Sequence, residues 1–266
     1  MLTGMTWRCA GFTLIELLVV IAVVVLLVAL VLPALGAART QARIAVCGAR
    51  LQQLGVGAGM YLGDYKNALP QTAVDSPDVG RWVCGLLFGG KKGDLPLLGV
   101  DTTGAERRPL NVYVHPGPVP PDSEPGVVQM EPFRSPMDKG AAEMYLPLPE
   151  YSHPDSLYDL MGTSYALNDH SLDGDFYPTL IPSGGGPMPP IADPSRTWMI
   201  GSHTIYNFQQ DSDRGERWYS PGSVEANLLF VDSHVRLRLP VPNVLCEVEN
   251  TTVNYTFLPV PERHAY

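Results

Sequence analysis

"GFTLIELLVVIAVVVLLVALVLP", Gly11–Pro33, decides the fold class. From Leu17 to Ala38 the chain runs 22 residues without a charge, long enough to cross a bilayer as a helix. One carboxylate, Glu16, stands at its head. A charge in hydrocarbon costs several kcal/mol or more unless it meets a partner. Three readings compete. A secretory signal peptide would use Leu17–Leu32 as its core and "PALGAA" for cleavage, but the run exceeds the usual ~7–15 residues. A plain transmembrane anchor leaves Glu16 unexplained. The third reading makes Glu16 part of a motif.

Composition divides the chain near residue 70. Every proline but Pro33 lies at Pro70 or beyond, so a Pro-poor first part precedes a turn-rich head. The 266 residues accommodate an anchor and one globular domain. The net charge of −9, with no basic stripe, argues against nucleic acid as a partner. Four cysteines (Cys9, Cys47, Cys84 and Cys246) are too few for a disulfide scaffold.

Beyond Pro33 the apolar pattern becomes one-sided. Ile44, Cys47, Leu51, Leu54, Ala58, Tyr61 and Tyr65 step by three and four, the period of a helical stripe, with Arg39, Arg43, Gln52, Gln53 and Lys66 elsewhere. Gly48, Gly55, Gly57 and Gly59 weaken such a helix by up to ~1 kcal/mol each. One short stripe with an Ala and two Tyr makes a poor coiled coil, so the stripe predicts a helix packed under a sheet. In "KNALP", Asn67 is the expected cap and Pro70 the stop.

In the head, "ANLLFVDSHVRLRL" reads as a hairpin. Leu228 and Phe230 fill one face of its first strand and Leu229 and Val231 the other. Val235, Leu237 and Leu239 alternate with Arg236 and Arg238 on the next strand, and Asp232-Ser233 is the predicted two-residue turn. A type I′ turn wants positive φ at both central residues, which Ser tolerates poorly, so another turn type is open. Residues 75–132 and 140–160 predict loops with a few short strands. "TVNYTFLPV" predicts a late edge strand ended by Pro259.

"GFTLIE", followed by its apolar run, resembles the cleavage and methylation motif of type IV prepilins and type II secretion pseudopilins. The resemblance implies cleavage between Gly11 and Phe12 by a prepilin peptidase/methyltransferase, N-methylation of Phe12, and pairing of Glu16 with the terminal amine of a neighbouring subunit. A buried carboxylate is costly alone and tolerable beside a cation, and that cation would exist only after cleavage. Pilins commonly carry a proline where Pro33 stands, which implies local loosening of the stem; alternatively Pro33 simply ends the membrane helix. Four further stretches resemble one bacterial subfamily of these proteins, in the same order: Cys47–Pro70, "FRSPMD" (Phe133–Asp138), "TSYALN" (Thr163–Asn168) and "DPSRTWMIGS" (Asp193–Ser202). Arg50 stands where that subfamily has Asn. The subfamily's C-terminal His-x9-Asp-Gly hairpin is degenerate: Gly222 replaces its His and Ser233 its turn Gly, while Asn227 and His234 match. The subfamily's stem Cys pairs with a Cys that is Ser135 here. A Cys47–Cys84 bridge or two buried free thiols are the alternatives.

The resemblance implies an α+β pilin-like fold, with a long N-terminal helix on a C-terminal antiparallel β-sheet head with long loops. Residues 1–11 would be a cleaved leader, 12–38 a transmembrane helix, 39–69 an amphipathic stem and 70–266 the head. It implies a structural subunit of a type II secretion pseudopilus or type IV pilus-like filament, in the inner membrane of a bacterium, leader cytoplasmic and head outside. Its partners would be the prepilin peptidase/methyltransferase and other pilin-like subunits. A membrane-anchored binding module that never polymerises and an exported enzyme are the alternatives. No G-x-S-x-G elbow, phosphate loop or paired metal-ligand spacing is present, so no cofactor and no catalytic set is expected. Asp169, Asp173 and Asp175 near a Gly offer hard oxygens for Ca²⁺, but their spacing is not that of an EF-hand, and a solvated acidic turn is the plainer reading.

Overall fold

A computed structural model describes residues 13–76, 80–123, 126–169, 179–182, 185–209, 212–243, 252 and 254–260. The chain forms two compact units, Met1–Arg43 and Ile44–Tyr266. Helix α1, Leu14–Asp64, runs through both. In the first unit its side chains from Leu14 to Leu35 are exposed, and its apolar stretch is long enough to cross a membrane.

In the second unit α1 is one-sided. Ile44, Cys47, Leu51, Leu54, Ala58 and Tyr61 are buried, as the stripe predicts. Tyr65 is not: it is half exposed and stacks on Tyr61 at 4.1 Å. The helix has already turned there. Asn67 N–H reaches back to the Leu62 carbonyl (3.0 Å), and Lys66 and Asn67 both have positive φ, a Schellman-like end one residue earlier than the expected Asn67 cap.

The helix packs against an antiparallel sheet in the order β3 (Tyr165–Leu167), β4 (Trp198–Ser202), β5 (Glu225–Phe230) and β6 (Val235–Pro240). Two strands, β1 (Thr72–Ser76) and β2 (Gly80–Cys84), form a separate hairpin. Among the described residues this hairpin supplies the short strands expected within 75–132, and the remaining loops hold 3-10 turns and two short helices, α2 (Asn111–Val114) and α3 (Leu157–Met161). Pro132 and Pro149 fall near the starts of two of those 3-10 turns, where the missing N–H costs nothing.

The sheet is buried on both faces. Leu229 and Ile200 join Leu51, Leu54 and Ala58 on the helix side. Trp198, Leu228 and Phe230 face the other way, under Tyr206, Tyr255 and Phe257. The tail is thus no edge strand: among the described residues it makes one parallel bridge, Thr197 to Thr256, and lies across the sheet as a cover.

Two hairpin expectations change. The turn is a three-residue loop, Val231–Ser233: Ser233 N–H donates to the Phe230 carbonyl and Phe230 N–H to the His234 carbonyl, both at 2.9 Å. Ser233 takes the left-handed position, φ +73. On β6 a bulge at Arg238 (φ +55) breaks the alternation. Leu237 packs toward Gly48 of α1, while Leu239 joins the opposite layer with Trp198. The Asn227 side-chain oxygen accepts the Arg238 N–H at 2.8 Å and so satisfies the donor that the bulge frees.

Buried polar side chains serve the loop backbone. The Arg108 guanidinium, 1 % exposed, donates to the carbonyls of Gly89 and Met161 at 3.0 and 3.1 Å, and Thr103 and Val100 lie at 3.3 and 3.5 Å. Burial pulls its pKa down to about 10. Asn111 bridges Gly90 and Ala105 in the same way.

Candidate functional site

Gly11 and Phe12 lie outside the described residues. Thr13 and Glu16 do not. Thr13 N–H and Oγ1 both donate to Glu16 Oε2, at 2.8 and 2.7 Å, and Glu16 N–H donates back to Thr13 Oγ1 at 3.2 Å. This is a reciprocal cap on the first turn of α1, in the Thr-x-x-Glu order that such caps take. The carboxylate also sits at the positive end of the helix dipole. Two independent reasons therefore hold an acid at the head of an apolar helix. The cap orients the carboxylate and uses one of its oxygens; Oε1 has no hydrogen bond among the described residues. The Thr-x-x-Glu signature stood in the sequence and would have located this contact.

Pro33 lies inside α1, which continues through it. The proline lacks the N–H that would serve the Ala29 carbonyl, so one helical bond is missing there. Thr40 Oγ1 bonds the Gly36 carbonyl at 3.2 Å just beyond.

Along the outer part of α1, glycines set the distance to the head. A Cβ on Gly55 would lie 2.9 Å from Leu229, and one on Gly57 2.5 Å from Val114. The residues that weaken the helix in isolation let sheet and loop side chains reach its backbone. Gly59 and Gly63 face open space.

The sequence islands meet around this seam. Arg50, which stands where the similar subfamily has Asn, donates to the Arg134 carbonyl and forms an ion pair with Glu131 at 2.6 Å. Cys47 Sγ lies 3.2 Å from Ser135 Oγ, both buried. Ser135 N–H donates to Ser164 Oγ at 3.0 Å, and Ser164 Oγ donates to Asp138 at 2.6 Å. Asp138 also accepts the N–H groups of Leu157 and Tyr158, capping α3. "FRSPMD" and "TSYALN" are therefore two halves of one buried clamp beside the helix. Asn168, the last residue of that second stretch, donates to the Trp198 and Phe257 carbonyls, both at 2.9 Å, and so ties the tail to the sheet.

Cys47 and Cys84 are free, buried thiols, the second of the two alternatives the sequence left open. Burial pushes both pKa values up, Cys84 to about 12, so neither is a nucleophile at neutral pH. Asp169 is described and half buried, while Asp173 and Asp175, its expected companions for Ca²⁺, lie outside the described residues. Among the described residues no cluster of three or more His, Cys, Asp or Glu stands ready for a metal. In the degenerate hairpin, His234 Nδ1 contacts Asp232 at 2.5 Å and its ring stacks on Phe230 at 4.3 Å, while the Gly222 side holds no imidazole to face it.

No curated protein and no solved structure matches the chain. Residues 8–32 match the family model of the prokaryotic N-terminal methylation motif. With that motif at the head of an exposed apolar helix, and an antiparallel sheet as its head, the chain resembles the type IV pilins and pseudopilins.

Proposed function

We propose that the chain is a structural subunit of a type II secretion pseudopilus or type IV pilus-like filament, rather than an enzyme. A prepilin peptidase/methyltransferase cuts between Gly11 and Phe12 and methylates the new amine. The mature chain sits in the inner membrane through α1, with its head outside the cytoplasm. The observation that carries this reading is Glu16: a carboxylate already oriented by Thr13, with one oxygen spare, in the first turn of an exposed apolar helix whose start matches the methylation motif. A neighbour's terminal ammonium supplies the partner that the spare oxygen lacks. Losing one member of such a pair in a low-dielectric setting costs on the order of 3–5 kcal/mol.

The Glu16→Ala protein is expected to be cleaved normally, with methylated Phe12 as its first residue by N-terminal sequencing, yet to give no crosslinked ladder through cysteines placed in the stem. Wild-type ladders from that variant would remove the pairing. Mature wild-type protein that keeps residues 1–11 would remove the assignment altogether.

A further inference from the structure

The head holds a cavity of about 340 Å³ that the filament reading does not use. Leu86, Leu95, Leu98, Met144 and Met161 line it, and so does Arg214, which is 8 % exposed. Backbone bonds fix the segment that carries Arg214: its N–H donates to the Asn207 carbonyl at 3.1 Å, and its carbonyl accepts the Ala142 and Glu143 N–H groups at 2.8 and 3.2 Å. The guanidinium itself is poorly served. Its Nη2 donates to Gln209 Oε1, a neutral acceptor, at 3.1 Å, and its Nε is buried without a hydrogen bond. Arg108, also buried in the head, spends its donors on the carbonyls of Gly89, Met161, Thr103 and Val100. Arg214 has no such set. The acids nearest to it in sequence are engaged elsewhere: Asp213 pairs with Arg217 at 2.5 Å, and the fully buried Glu216 with His203 at 3.0 Å. No carboxylate pairs with Arg214 among the described residues. Asp169 also borders the cavity; it has interactions of its own, and its carboxylate lies against the Gly85 backbone, where a side chain would clash with it.

We propose that this cavity binds a small apolar monocarboxylate, its carboxylate on the Arg214 guanidinium and its hydrocarbon part against the leucines and methionines. A buried cation without an anion is expensive, and the planar guanidinium fits a carboxylate in particular. An apolar lining with one or two polar anchors is the usual make-up of a small-molecule site. The same lining selects against inorganic phosphate, which would lose its water and gain hydrocarbon in return. At roughly 30 Å³ per water-sized volume the space holds on the order of ten heavy atoms, the size of octanoate or 3-phenylpropionate. The Cys84 thiol that borders the cavity is held protonated by burial, so the cavity is a binding site and not a reaction centre. This inference does not depend on cleavage or on Glu16.

Full-length protein in maltoside micelles, titrated calorimetrically with 3-phenylpropionate against a blank of protein-free micelles, tests it. Saturable one-site binding is expected. 3-Phenylpropanol, which keeps the ring and lacks the charge, and phenethylamine, which reverses it, should each bind about tenfold or more weakly. Inorganic phosphate should not displace 3-phenylpropionate. Arg214→Gln should weaken 3-phenylpropionate by a similar factor, and Leu146→Trp, which fills the cavity, should abolish binding. Absence of saturable 3-phenylpropionate binding overturns the proposal. So does 3-phenylpropanol binding as tightly as 3-phenylpropionate, displacement by phosphate, or unchanged affinity in a folded Arg214→Gln or Leu146→Trp protein. The ligand series needs no variant and decides the matter even where Arg214→Gln fails to fold.

Discussion

At the scale of single residues, Ser233 shows how a local rule is kept by an unsuitable side chain. The loop requires a left-handed residue, and Ser233 supplies it at φ +73. An L-residue pays about 1–2 kcal/mol there, and Gly pays almost nothing. Asp232 offsets part of that cost by accepting the His234 N–H at 3.2 Å. Ser233→Gly is therefore expected to stabilise the head by up to ~1 kcal/mol, a rise of about 2–4 °C in the thermal midpoint by circular dichroism. A midpoint that falls would mean Ser233 makes a contact worth more than its strain. The sequence revealed the misfit of Ser but not the loop length, because a shift of one residue in a hairpin leaves the apolar pattern of β5 untouched. Arg50 is the opposite case. Its substitution was visible, its gain was not, since Glu131 and the Arg134 carbonyl lie more than eighty residues away.

At the scale of elements, α1 was the most legible part of the chain. Its 3-4 stripe named the buried residues from Ile44 to Tyr61, because a continuous helix keeps one angular period. The glycines were legible only as weaknesses. Whether each weakness is compensated depends on what crosses it, and that is tertiary information. Gly57 and Gly59 separate the two effects. Gly57→Ala would push a methyl into Val114 and is expected to cost about 1–3 kcal/mol. Gly59→Ala meets nothing and should stabilise by roughly 0.5–1 kcal/mol. Denaturant melts of the two variants should move in opposite directions; equal shifts would place the Leu110–Val114 segment elsewhere. β6 was less legible. Alternation put Leu237 and Leu239 on one face, whereas the bulge at Arg238, held by Asn227, sends them to opposite layers. A bulge leaves no mark in a binary pattern when both residues around it are apolar.

At the scale of the whole head, the clamp between α1 and the loops makes two sharp expectations. Ser135→Cys places a second sulfur beside Cys47, across a separation of 88 residues. Under oxidising conditions it should form a bridge detectable by non-reducing mass mapping and add on the order of 2–4 kcal/mol. A folded variant that stays reduced would contradict the contact. In the native wild-type protein, burial raises the Cys47 and Cys84 thiols above the ordinary value near ~8.5, so the thiolate fraction at pH 8 is small. Iodoacetamide should spare both until denaturant is added and should modify native Cys84 only as pH climbs toward 12. Rapid labelling of either at pH 8 would mean the clamp opens readily. The cavity lined by Arg214, His203 and Asp169, by contrast, was invisible in the sequence: no motif joins these residues, and only the folding of several loops brings them together. The tail that covers Trp198 and Phe230 has a consequence for biogenesis. Ribosomes deliver strands β3 to β6 before they deliver Tyr255 and Phe257, so this outer layer lacks part of its lid until those residues emerge. A head exported behind its membrane anchor would thus stay unfinished, and pliable enough for passage, until Tyr255 and Phe257 arrive.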